Sequence, residues 1–159
     1  MTVPSSATVP YDSWEIIRYE VDQINDLLPF VLTDNPNHEI YKKWPKAVRN
    51  AVTESIGLHT RILADVLLSR TSYDDDIKLE KLLPGFTPPT LAQLKAAYGG
   101  SNDEQSPYSI LNKKLFHPDK GRCDNHDYSA TFRAVIPLVF RVWEEVRAHH
   151  QARRRSGGS

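Results

Sequence analysis

The stretch SILNKKLFHPDKGRCDN, residues 109–125, gathers the side chains best suited to chemistry in this chain. His117 can exchange a proton near neutral pH. Asn112 offers an amide and Arg122 a guanidinium, a set that suits general acid–base or phosphate chemistry. No serine or cysteine nucleophile pairs with the histidine. Cys123 has only Arg122 beside it to favour a thiolate. His117, Cys123 and His126 form a loose collection with no CxxC or HExxH spacing, so no metal site is expected.

A second set lies upstream in ESIGLHTRILADVLLSR, residues 54–70. His59 falls on an apolar stripe, where a histidine is most often a core residue bonded to a neighbour. Arg61 stands four before Asp65, the spacing at which a cation and a carboxylate pair on one helix face. Asp74, Asp75 and Asp76 follow. Three adjacent carboxylates can hold a divalent cation, but the EF-hand spacing is missing, and a solvated loop with one aspartate capping the next helix is expected. Candidate catalytic residues are thus His117, Arg122 and Asn112, and candidate binding residues are His59, Arg61, Asp65 and Lys113. The expectation is that His59, Arg61, Asp65, Asn112, His117 and Arg122 converge in one polar cluster, either a site or a buried network that fixes helix packing.

The elements that would carry these groups are helical almost throughout. Trp14, Ile17, Val21, Ile24 and Leu28 recur at helical steps, with Asp12 or Ser13 as cap and Pro29 as stop. Pro45 opens a longer helix with Val48, Val52, Ile56, His59, Leu63 and Val66 on one stripe. Gly57 inside it suits close approach by a neighbouring helix. Thr90 can cap a short helix that ends at Gly99–Gly100. Pro107 opens the helix that Pro118 stops. A last helix over 128–150 buries Phe132, Val135, Ile136, Val139, Trp143 and Val146, with a kink or break expected at Pro137. No period-2 strand and no repeat is visible. The fold class is therefore all-α, a single-domain helical bundle over 13–150 with three substantial helices and two or three short ones. Residues 1–12 read as a flexible lead-in and 151–159 as a basic tail, with His149 and His150 facing solvent.

Composition agrees with one globular domain: 159 residues, 40% hydrophobic and 25% charged. Twenty basic residues balance twenty acidic ones, so no global field marks a nucleic-acid binder and any such site must be local. The basic end QARRRSGGS reads first as a helix terminus and second as a nucleic-acid arm. One cysteine excludes an internal disulfide and suits a reducing, cytoplasmic setting. No apolar run approaches the length of a membrane span, and the start lacks the pattern of a signal peptide. No cofactor is expected.

Two resemblances add to this reading. KLFHPDKG resembles the J-domain signature, with His117, Pro118 and Asp119 as its tripeptide and Lys113, Lys114 and Lys120 as basic surroundings. It implies a co-chaperone that stimulates a chaperone ATPase. The second covers about half the chain and is similar to small bacterial all-α proteins of HEPN style. It carries His59, Arg61, Leu63 and Asp65, an acidic loop at Asp75–Asp76, then Asn112, Lys113, Leu115, His117 and Arg122. It implies a helical bundle of a defence or toxin–antitoxin type that acts on RNA or binds a nucleotide, often as a homodimer. The pattern departs at Leu111, where that family places arginine, so the cation would have to come from Arg61 or Arg122. A structural or partner-binding bundle is the remaining alternative, and whether the chain is an enzyme stays open.

Overall fold

Asp12 starts the first helix as its type suggests, its Oδ1 accepting the Trp14 N–H at 3.0 Å. The computed structural model of the chain describes residues 12–71, 76–115 and 127–157. Helix α1 is Ser13–Val31, α2 is the short His38–Tyr41 and α3 is Lys46–Leu67. Then come α4 (Leu79–Leu82), α5 (Leu91–Tyr98), α6 (Pro107–Ser109, widening into a π-helical turn over Ile110–Leu115) and α7 (Ser129–Ser156). Every regular element among the described residues is helical, so the chain is all-α. Within those residues no helix is long and apolar enough to cross a membrane.

The long helices form the core. α1 packs mainly on α3, and α7 lies against both α3 and α5. Ile17, Val21 and Ile24 meet Ile56, Leu63 and Leu67, while Phe132, Val135, Ile136, Val139 and Val146 close the other side. Burying one such side chain stabilises by roughly 1.5–3 kcal/mol, which exceeds most helix-propensity differences. That inequality explains Gly57, which costs up to about 1 kcal/mol as a helix residue yet lets Leu115 pack against its backbone. A Cβ at Gly57 would overlap the Leu115 side chain, so the expected close approach is present.

Neither internal proline ends its helix. α1 continues past Pro29 to Val31, because a proline in the last turn forfeits a single hydrogen bond. α7 runs unbroken through Pro137, whose face is exposed, so water can take the carbonyl left unbonded. α7 also extends to Ser156, beyond the boundary expected at residue 150. Gln151, Ala152 and the arginines after them are good helix formers, and the cations suit a helix C-terminus. His149 and His150 do not simply face solvent. His149 stacks on Phe86 with ring centroids 3.9 Å apart, and His150 stacks on Trp14 at 4.0 Å.

The short elements are held by specific polar bonds. His38 Nδ1–H donates to the Phe30 carbonyl at 2.9 Å, and the Tyr41 hydroxyl meets Thr53 Oγ1 at 3.1 Å, which ties α2 to both α1 and α3. Thr90 stands at the N-cap position of α5 but does not cap it with its own side chain. Its hydroxyl donates to Glu145 Oε1 at 2.5 Å and its N–H to Oε2 at 2.9 Å, so a carboxylate from α7 caps α5 instead.

Candidate functional site

Arg61 and Asp65 lie on one face of α3, with Nε and Oδ2 3.8 Å apart, so the pair read from their spacing is present. His59 is not part of it. Residues two positions apart on an α-helix, as His59 and Arg61 are, lie about 200° apart, and His59 points inward, where its Nδ1–H donates to Glu20 Oε2 of α1 at 2.5 Å. Glu20 and His59 are 8% and 9% exposed, a buried pair that joins two helices. His59 therefore parts from Arg61 and Asp65, and helix geometry is the reason.

Arg70 reaches the Arg61–Asp65 face through the way α3 ends. Ser69 takes φ 53°, the left-handed region that usually favours glycine. The Arg70 N–H then bonds the Asp65 carbonyl at 2.8 Å and the Ser69 N–H bonds the Val66 carbonyl at 3.2 Å, a Schellman closure. The turn carries the Arg70 guanidinium to the Gly99 carbonyl, 2.5 Å from Nη1, and over the Tyr98 ring at 5.7 Å. Gly99 itself has φ +72°, and a Cβ there would meet Ser106 Cβ at 2.6 Å, so glycine is required on two counts.

Between these groups lies a cleft of about 610 Å³ lined by Arg61, Asp65, Arg70, Asp76, Ser101 and Tyr108, among others. That volume falls within the usual range for small-molecule sites, roughly 300–1,000 Å³. Tyr98 stands behind it, fully buried and edge-on to Tyr108 with centroids 5.6 Å apart. Its hydroxyl faces Asp65, yet neither that hydroxyl nor Asp65 Oδ1 completes a hydrogen bond among the described residues. Burial raises the Asp65 pKa, with Arg61, Arg70 and the Tyr98 hydroxyl pulling the other way. Burial, and after it the Asp65 charge, pushes the Tyr98 hydroxyl far above its ordinary range.

Comparison with known proteins finds no matching family model, curated protein or solved structure. The chain's own side chains must therefore carry the functional reading.

Asn112 sits beside the cleft in a structural role. The π-helical turn leaves an i−4 carbonyl uncovered, and Asn112 Nδ2–H donates to the Tyr108 carbonyl at 2.8 Å. Lys113 is exposed and 3.8 Å from Glu104, on neither of the two clusters. His117, Pro118, Asp119, Arg122, Cys123 and His126 lie outside the described residues, as do Asp74 and Asp75. Asp76 does not cap α4, whose N-cap position is Lys78, and it lines the cleft instead. Sequence reasoning missed Arg70, Tyr98 and Tyr108. The aromatic directly before the paired glycines was the one available signal.

The raised Asp65 pKa has a consequence for stability. The folded state holds this proton more tightly than the unfolded one, so the contribution is full below the ordinary value of 3.8 and is lost as pH rises through the folded value. An Asp65→Asn variant is expected to melt above wild type at pH 7, with the gap closing as pH falls toward 4. The Arg61 bond it weakens is half-exposed and worth at most about 0.5 kcal/mol. Thermal melts at both pH values check this, and a variant that melts below wild type at pH 7 would contradict it.

Proposed function

We propose that this chain is a helical binding protein that takes a small phosphate-bearing ligand in the Arg61–Asp65–Arg70 cleft. The observation that supports it is a small-molecule-sized cleft with two guanidinium groups on its wall. Guanidinium donors match phosphate oxygens in fork geometry, and each charge-assisted hydrogen bond contributes roughly 1.5–3 kcal/mol. Asp65 positions Arg61, and the Gly99 carbonyl positions Arg70 through Nη1.

Nucleotides belong to this ligand class, and the HEPN-like resemblance makes nucleotides and RNA the first compounds to try, in a cytoplasmic bacterial setting with a homodimer as the partner state. The nuclease and co-chaperone readings turn on His117, Arg122 and the His-Pro-Asp tripeptide, which the described residues do not include. For His59 the structural reading is favoured, because its Nδ1 is engaged by Glu20 inside the core.

Calorimetric titration with inorganic phosphate, AMP and GMP tests the proposal. Binding is expected, and Arg61→Gln is expected to weaken it by about tenfold or more, the lower end of one charge-assisted bond. Arg61 is over a third exposed, so the fold should survive, as circular dichroism would show. Equal affinity in wild type and Arg61→Gln, or no binding at millimolar ligand, overturns the proposal.

A further inference from the structure

Thr71 and Asp76 line two recesses at once. One is the cleft, and the other is a trough of about 300 Å³ whose walls include Ile16 and Ile17 of α1 and Ile62, Leu63 and Val66 of α3. An aliphatic void of about 150 Å³ already takes up benzene, and the trough has twice that room. Ile16 and Ile62 are only half-buried, so the trough keeps apolar surface in contact with water. The one carboxylate on the α1 wall, Glu20, has its Oε2 engaged by His59 at 2.5 Å. At the junction, Thr71 Oγ1 is buried with no hydrogen-bond partner among the described residues.

We propose that the ligand is an anionic amphiphile. Its headgroup, a phosphate or a carboxylate, sits on Arg61 and Arg70, and a short aliphatic arm passes Thr71 and Asp76 into the trough. This rests on the cleft being an anion site and adds the arm. Branched aliphatic side chains from both helices wall the trough. Tyr108 lines the polar recess, on the headgroup side. Such walls suit an aliphatic arm.

The full chain is titrated with inorganic phosphate, AMP, octyl phosphate, acetate and octanoate, all below micellar concentrations. Octyl phosphate is expected to bind more than tenfold tighter than phosphate or AMP, since even one methylene in an apolar pocket is worth about tenfold. Octanoate binding tighter than both octyl phosphate and acetate would make the headgroup a carboxylate and still support the arm. Ile62→Gln, at a half-exposed position that does not threaten folding, is expected to remove the gain of octyl phosphate and leave phosphate binding unchanged. Octyl phosphate no tighter than phosphate overturns the arm while the anion site stands. Tight octyl phosphate binding that Ile62→Gln leaves untouched is surfactant adsorption and overturns it too. If no anion binds at all, the cleft reading and this one fall together.

Discussion

A His59→Leu variant is expected to lose about 3 kcal/mol of folding stability, and adding Glu20→Leu should recover most of that loss. The His59 ring holds Glu20 Oε2 at 2.5 Å, with both residues under a tenth exposed. Removing one member of a buried pair costs roughly 3–5 kcal/mol, because the other charge stays buried without compensation. The slight exposure of both side chains, 11% and 10%, places the cost at the low end of that range. Replacing both members with apolar side chains removes the stranded charge along with the pair, and such exchanges are often neutral or better. Denaturant midpoints at unchanged m-value measure both effects. A single-variant loss below about 0.5 kcal/mol, the worth of an exposed pair, would mean that the pair is solvated in solution. A double variant as unstable as the single one would mean that the pair itself, and not the stranded carboxylate, supplies the stability.

The core position of His59 was legible because apolar residues flank it at helical spacing. Its partner was not, since Glu20 lies on another helix and nothing in the local sequence names it. Arg61 and Asp65 were legible as a pair for the same local reason, whereas grouping them with His59 overlooked that they face away from it on the same helix. Arg70 was missed because its position depends on a left-handed turn at Ser69, a residue type that does not advertise one. The stacking of His149 and His150 depends on Phe86 and Trp14, again distant in the chain. The helices continue past Pro29 and through Pro137, where burial of the neighbouring stripe outweighs one missing hydrogen bond. Periodicity is a local signal and it placed the helices. Contacts between helices decide the site, and composition carries little trace of them.

Glu145→Ala is the second large effect, with an expected loss of about 2–3 kcal/mol and a measurable weakening of any ligand bound in the cleft. α5 has 8 residues, too short to be stable alone, so its position depends on what anchors it. Leu94 and Tyr98 anchor it through the core. At its N-terminus Glu145 takes both the N–H and the hydroxyl of Thr90, which is only 5% exposed. Alanine leaves two buried donors unpaired and removes a negative charge from a helix N-terminus. Glu145→Gln keeps an acceptor and should cost about 1 kcal/mol. A double-mutant cycle with Thr90→Val isolates the coupling, and a coupling energy near zero would contradict the anchoring role. The effect reaches the cleft because the other end of α5 carries Tyr98 and leads into Gly99, whose carbonyl holds Arg70. If α5 shifts, Arg70 loses the contact that aims it, while Arg61 keeps its own partner on α3. Ligand affinity should therefore fall in Glu145→Ala without being abolished, and a variant that loses stability but binds as wild type would show that Arg70 is aimed by its own turn at Ser69 and needs no help from α5.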